Sequence, residues 1–492
     1  MAVPERASAA EPTAQPGAAP RLVVVGAGIT GLAAAWQGVQ RGARVVVVEA
    51  TERLGGKVAT VRRDGFLVDE GPDSFVAYRP AALQLIAELG LTDQVVAPAP
   101  GRRVQLLSRG RLRPLPAGMG MVLPTRMWPF VATSVLSWPD KLRAALDLVT
   151  PRRLPDHDVA IGAFLRSRLG DGIVRRFADP IVGGIYGAGI DELSLDAVLP
   201  SLRDNEREHR SLMIAAWVSG RQARSRAGAA GGGVRGPASS PFRTLAGGMG
   251  QLVDVLGERL RAAGAEIITG TRVERLDERS VSLSDGRVLE ADAVVLAGGV
   301  ADSARLLQPH VPAAAEALGQ IPLASTTVVT LAWPESDFAA VPDSQGWLQA
   351  DVGPVSGLTV SSVKFPGRAP AGMVLARVFV PDKRGPLTHA GDDEITAAVL
   401  GHVRPLLGVV AAPALVHIAR QHRTMPKYTV GHLGRVAVVD AAVAAVRPRW
   451  AVAGSALHGV GVPDCIADGR LRADAVLDAA TASREGAPHL VG

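Results

Sequence analysis

One cysteine, Cys465, stands in 492 residues. A single thiol excludes an intramolecular disulfide framework and any zinc or iron–sulfur site built on cysteines. Lysine is nearly as scarce: Lys57, Lys141, Lys364, Lys383 and Lys427 are all of it, so 53 − 5 = 48 cations are arginines, against 47 acids. The net charge of +6 in a chain so rich in Ala, Gly, Pro and Val fits a GC-rich coding sequence better than a nucleic-acid surface. Aromatics make up 4%, with three tyrosines, Tyr78, Tyr186 and Tyr428. The ten histidines form no HxH or HExxH pattern, so no metal site is expected. No run of about 18 apolar residues is free of charge, which excludes an expected transmembrane helix. Residues 1–20 lack the basic start and apolar core of a secretory signal. They read as a disordered tail, and the cytoplasm is the default compartment.

What is present is apolar surface. Hydrophobic residues form 47% of the chain, enough for a large core and against wholesale disorder. At about 150 residues per domain the length suggests roughly three domains, or two with one split. The apolar run Leu22–Val25, a glycine-rich turn, an Ala-rich helix over Gly31–Gln40 and a strand over Arg44–Glu49 form one βαβ unit. A helix is expected over Arg79–Leu89, then helical segments broken by Pro to about Arg210. Residues 220–241 are Gly/Ala/Arg-rich and read as a flexible loop. A helix over Gly250–Ala263 and short strands over Glu266–Ile268, Arg272–Leu276, Val281–Leu283 and Ala293–Leu296 follow. A strand at Trp450–Ala453 and a helix at Pro463–Ala480 end the chain.

The turn is Gly26-Ala27-Gly28-Ile29-Thr30-Gly31. Glycines there permit the tight turn, the approach of a pyrophosphate and close helix–strand packing, with the helix N-terminus facing the phosphates. Glu49 ends the second strand, 49 − 31 = 18 residues on, where a carboxylate accepts hydrogen bonds from an adenosine ribose. A second glycine pair, Gly55-Gly56, follows at once and favours FAD over NAD. It lets the backbone pass beside the flavin end of an extended cofactor, with Arg53 and Lys57 in reach of phosphate or flavin oxygens. Far downstream, Gly298-Gly299, Gly454 and Gly459-Val460-Gly461 offer further close approaches. There a second helix N-terminus is placed to stabilise negative charge on a reduced flavin.

Eight segments together resemble the flavin-dependent protoporphyrinogen/coproporphyrinogen oxidases, within the wider monoamine-oxidase-like FAD superfamily. They are GAGITGLAAAW (26–36), EATERLGGKVAT (49–60), GFLVDEGPDSF (65–75), DPIVGGIYGAG (179–189), DELSLDAVLP (191–200), FRTLAGGMGQLV (242–253), MPKYTVGHL (425–433) and AGSALHGVGVPDCIADGR (453–470). GPDSF and GVGVPDCI are the more specific. The resemblance implies a mixed α/β fold: a Rossmann-like FAD domain of the p-hydroxybenzoate-hydroxylase type, with an inserted substrate domain and a helical, often membrane-contacting domain. The expected division is 21–93, 242–300 and 431–492 for FAD, 94–200 for the helical part, and 201–241 with 301–430 for substrate.

By the same resemblance, non-covalent FAD is held by Gly26 to Gly31, Glu49, Ala50, Lys57, Gly71, Pro72, Asp73, Ser74, the backbone of Val273, and Val462, Pro463 and Asp464. Gly454 and Gly461 join them from the glycine reading. In two places the chain departs from the family. It has Gln421-His422 where relatives often carry Trp, and Ala297-Gly298-Gly299 where many carry Ala-Thr-Pro.

The implied reaction takes six electrons and six protons from a porphyrinogen in three two-electron steps, through the flavin to molecular oxygen, giving three hydrogen peroxide. No residue is assigned as a catalytic acid or base. Arg79, beside Tyr78, is placed to hold a propionate; a solvated Arg at a helix start is the competing reading. Tyr186 lines the ring pocket or packs in the core. Trp128 and Trp138 are expected in a core face, a membrane-surface face being the alternative. His432 and His458 are expected as structural hydrogen-bonding residues, and Cys465 as packing. Coproporphyrinogen III is the preferred substrate and protoporphyrinogen IX the runner-up. A flavin amine oxidase, a carotenoid-type desaturase and a non-catalytic heme-pathway scaffold are the other readings. Partners beyond substrate and oxygen would be heme-pathway enzymes or a membrane surface, not nucleic acid. No oligomeric state is assigned.

Overall fold

A computed structural model describes residues 19–101, 104–229 and 240–485, with backbone alone at 223–229 and 484–485. Arg21–Val25 (RLVVV) and Arg44–Val48 (RVVVV) are β-branched almost throughout, which suits strands covered on both faces. They lie at the centre of a five-stranded parallel sheet. Its order is Glu266–Ile268, Arg44–Val48, Arg21–Val25, Ala293–Leu296, Trp450–Val452. Val24 sits level with Val47 on one side and Val295 on the other.

Helices Ile29–Gln40, Gly250–Ala262 and Val462–Glu485 bury Leu32, Leu252, Leu256, Ile466 and Leu477 on one face. Leu306, Leu318 and Val439 from the helices Val300–Leu307, Pro312–Gly319 and His432–Val446 cover the other. At about 25 cal/mol per Å² of apolar area, this double burial is the main stabilising term of the sheet.

A second sheet has seven strands. Its order is Leu415–Pro426, Leu323–Pro334, Met373–Pro381, Gly357–Val360, Gly346–Gln349, Val104–Ser108, Arg111–Pro114. The last two strands were not foreseen within 94–200. Their cause is local: Ser108 pairs with Arg111 around Arg109-Gly110, both at positive φ. Two left-handed residues close a two-residue hairpin whose twist matches its strands.

Two further expectations are corrected. The segment from 220 is not loop throughout, because the helix Leu212–Ala229 runs through it. Arg221, Gln222 and Ala223 are good helix formers and outweigh Gly220. Residues 230–239 lie outside the described residues, as do 1–18 of the expected tail. The tryptophans of the helical region are not core. Trp128 is 79% exposed and Trp138 67%, and Leu142, Leu146 and Val149 are exposed with them. Phe130 takes the buried place.

That region is organised around Arg168, fully buried, which ion-pairs with Asp147 and Glu206. It also donates to the carbonyl of Pro151 at 2.6 Å, so its charge and donors are both met. Among the described residues no helix is long and apolar enough to cross a membrane.

Candidate functional site

The glycine turn joins the first strand to Ile29–Gln40 at the carboxyl end of the parallel sheet, where ligands of such sheets bind. Gly26 has φ +100°, and a Cβ there would lie 2.8 Å from the Gly298 nitrogen. A Cβ on Gly31 would lie 1.9 Å from the Gly26 carbonyl oxygen. These two glycines are demanded by the chain itself. Gly28 is not: nothing lies within 4 Å of its Cβ position. The helix that starts there has no side-chain cap bond and no acid in its first turn, so its amide end is suited to an anion.

Gly55 packs directly on this turn, its N–H donating to the Ala27 carbonyl at 2.8 Å. The Cα of Gly28 lies 3.3 Å from the Cβ position of Gly56. Glu49 braces the turn: one carboxylate oxygen accepts from the Ala27 N–H at 2.7 Å, the other from the Thr51 N–H at 2.9 Å. The second oxygen also accepts from the Thr51 hydroxyl at 2.8 Å, so it is the first that keeps acceptor capacity for a ligand hydroxyl. Ala50 follows Glu49, exposed. Arg53 turns outward toward Glu70, 3.8 Å away. The Val273 carbonyl accepts from Arg305 at 2.8 Å.

Lys57 bridges two distant pieces of chain, donating to the Thr424 carbonyl and the Ser455 hydroxyl, each at 2.9 Å. Burial lowers its pKa, and the neighbouring Cys465 opposes that only in part. Burial likewise pushes the Cys465 thiol up to about 11, so it is no reactive thiolate.

The loop 454–461 is held from several sides. The Tyr428 hydroxyl donates to the Ser455 carbonyl at 2.7 Å and accepts from the Gly459 N–H at 2.8 Å. His432 stacks on the Tyr428 ring at 3.9 Å between centroids and lies 3.1 Å from the Leu457 carbonyl. Burial lowers its pKa to about 4, so it is neutral and donates to that carbonyl. Gly454 has φ +130° and open space at its Cβ position, a second gap in the same crevice.

The second helix end differs from expectation. Asp464 stands in the first turn of Val462–Glu485, behind Val462 and Pro463 and beside Gly459 and Gly461. Its carboxylate already meets the positive helix end.

The GPDSF turn locks the crevice to the second sheet. A Cβ on Gly71 would lie 1.8 Å from the Lys57 carbonyl oxygen. Pro72 leads into Asp73, which accepts from Lys364 with both oxygens at 2.9 Å, from Ser74 at 2.7 Å, and faces Arg377 at 3.5 Å. Burial would raise the Asp73 pKa, but Lys364 and Arg377 hold it well below the usual carboxylate range. Arg79 ion-pairs with Asp464; the sequence placed these on substrate and cofactor, and the fold brings them together. Tyr78 is 69% exposed. Tyr186 is half-buried, 5.8 Å from the Tyr428 ring.

A nearby cavity of about 340 Å³ is lined by Asp179, Glu192, Asp382, Lys383, Arg384 and Lys427. Its lysines are taken by Asp179 at 3.6 Å and Glu192 at 3.5 Å.

Sequence reading missed Lys364, Arg377, Tyr428 and Asp468. Tyr428 and Asp468 had a signal, their places in MPKY and in the segment 453–470; Lys364 and Arg377 had none.

The arrangement suits an extended dinucleotide: an uncapped helix end with a gap at Gly28, a bracing carboxylate at the end of the neighbouring strand on one side, and a second gap at Gly454 two strands away on the other. The model for flavin containing amine oxidoreductase matches residues 29–477. A coproporphyrinogen III oxidase of Propionibacterium freudenreichii subsp. freudenreichii is 70% identical over 488 residues, covering 95% of this chain and 93% of its own. One of Bacillus subtilis (strain 168) is 32% identical, covering 94% and 98%. A solved structure from Exiguobacterium sp. 255-15, assigned as a protoporphyrinogen oxidase candidate, superposes with TM-score 0.81 at 31% identity, covering 94% and 99%.

Proposed function

Since the chain belongs to the flavin containing amine oxidoreductases, and within them to the coproporphyrinogen III oxidase family, we propose that it oxidises coproporphyrinogen III to coproporphyrin III in heme biosynthesis. Six electrons and six protons leave the macrocycle, and three molecules of oxygen take them up as three hydrogen peroxide. The carrying observation is the 70% identity across 95% of the chain. A bound flavin supplies the redox chemistry. FAD held without a covalent bond is the form that fits the crevice, because Gly28 leaves room for a pyrophosphate and Cys465 stays a buried thiol.

The residues of the chain bind and orient. Glu49 shapes the turn and presents an acceptor to a ribose. Lys57 and Tyr428 fix the loop 454–461, and Asp73 ties the crevice to the substrate sheet. Glu49→Ala should weaken FAD binding by about 1.5–3 kcal/mol, the range for hydrogen bonds to a charged group. Titration of apo-protein with FAD checks this, and an unchanged Kd would remove the role.

Arg79 is the proposed propionate contact, sharing its charge with Asp464 at a half-exposed position. Solvent screening limits its worth to about 1 kcal/mol, so Arg79→Ala should raise KM about fivefold and leave the flavin spectrum unchanged. The deciding measurement is kcat/KM for coproporphyrinogen III against protoporphyrinogen IX on one preparation. We expect the tetracarboxylate to win; preference for the dicarboxylate would overturn the substrate and leave the flavin oxidase standing. The exposed face of Trp138, Leu142, Leu146 and Val149, with Lys141 over the Trp138 ring at 4.7 Å, supports peripheral membrane contact as part of this reading.

A further inference from the structure

The loop 454–461 carries His458 into a charge cluster that the proposed reaction does not use. His458 sits between two carboxylates, its Nε2 3.1 Å from Asp440 and its Nδ1 2.9 Å from Asp468. Arg472 reaches Asp440 at 2.9 Å and Asp468 at 3.3 Å. Asp468 is 4% exposed at its side chain, and its second oxygen accepts the N–H of Gly454 at 2.8 Å. Gly454 is the glycine at φ +130° whose Cβ position is open. One carboxylate therefore links an imidazole to the backbone that borders the cofactor crevice.

We propose that His458 and Asp468 are positioning residues for the flavin: imidazolium and carboxylate together hold the Gly454 backbone in its left-handed conformation at the crevice. This rests on the FAD reading above. With His458 charged, the cluster balances, two anions (Asp440, Asp468) against two cations (His458, Arg472). Deprotonation leaves one net negative charge beside the site and removes a donor from Asp468, whose grip on Gly454 then loosens.

The titration has a definite window. The groups facing His458 are Asp440 and His432 from the helix His432–Val446, and Asp468 and Arg472 from Val462–Glu485. Burial lowers the His458 pKa, but the bonds to Asp440 and Asp468 outweigh burial and Arg472 and push it up to about 9. The raised pKa adds folding stability that is fully present below the ordinary value of 6.5 and lost as pH rises through about 9; the folded protein itself keeps the imidazolium until pH nears about 9, so the hold on Gly454 is lost there.

The test is FAD titration of apo-protein at about pH 6, 7.5 and 9.5, with the flavin midpoint potential and melting temperature read alongside. Wild type should bind equally at the two lower pH values and about tenfold more weakly at the highest. His458→Gln and Asp468→Asn should each bind about tenfold more weakly at pH 7.5, with a flattened pH profile; His458→Gln should also have a more negative potential, since its uncompensated anion opposes electron uptake, whereas Asp468→Asn, which removes an anion, should not. His458→Lys keeps a cation to about pH 10 and should restore affinity across the range. Wild-type affinity and profile in either removal variant would overturn the proposal. If those variants do not fold, a wild-type affinity that does not weaken by pH 9.5, or a folded His458→Lys without rescue, overturns it. A wild type that takes up no FAD at any pH overturns the cofactor reading as well, so the two failures are distinct.

Discussion

Gly31→Ala and Gly28→Ala should separate the fold from the cofactor. Gly31→Ala places a methyl group 1.9 Å from the Gly26 carbonyl oxygen and 3.2 Å from a Val24 methyl. One is backbone of the turn and the other a buried side chain of the adjoining strand, so the helix must move away from its strand. Overpacking of this kind costs about 1–3 kcal/mol, and more when the opposing atom is backbone. The expected product is poorly soluble or melts several degrees low, and carries no flavin.

Gly28→Ala meets nothing within 4 Å, and its φ of −65° suits any residue. The apo-protein should melt at the wild-type temperature or slightly above. Its FAD affinity should fall at least about a hundredfold, or about 2.7 kcal/mol, because the methyl fills the gap the pyrophosphate needs. Thermal melts of both apo-proteins and FAD titrations check the pair. A Gly28→Ala protein with wild-type affinity would move the cofactor away from this helix end.

Asp73→Ala is the second large effect. It leaves Lys364 and Arg377, 16% and 2% exposed at their side chains, without their shared anion. Removing one partner of a buried pair costs about 3–5 kcal/mol. The lower end applies here, since Lys364 keeps some water. At about 2 °C per kcal/mol for a structure of this size, the melting temperature should drop by about 6 °C or more, and flavin content should fall with it.

The pH dependence follows from the depressed pKa. The Asp73 contribution is present above the ordinary value of 3.8 and lost as pH falls below it. Asp73→Asn should therefore differ most from wild type near neutrality and converge with it in strong acid. Equal melting curves at pH 7 would show that the two cations are served by water instead.

The parallel strands and the turn between them were legible because their causes are local. LVVV, VVVV and AVVL are continuous apolar, valine-rich runs, Gly31 answers a clash within its own turn, and Gly26 one with the backbone that ends the neighbouring strand. The strand pair around Arg109-Gly110 was missed because Gly110 alone is a weak turn signal and Arg109 takes φ +56° without being a residue type that favours it. Trp128 and Trp138 were misplaced for a different reason. Apolar character does not say which face of a short helix will find a partner, and Phe130 took the interior.

By itself, then, the sequence determined the glycine turn, the buried runs that become parallel strands, and the motifs that carry the family; that Glu49 braces the turn came from the structure. Only the tertiary structure decided which polar partners the charged side chains meet. Asp73 finds Lys364 across 291 residues, Lys57 finds Ser455 across 398, and Arg79 finds Asp464 across 385. Backbone sterics and hydrophobic period act over a few residues and leave a pattern in the chain. An ion pair has no period, and its partner is set by which surfaces the packed sheets and helices bring within a few ångströms.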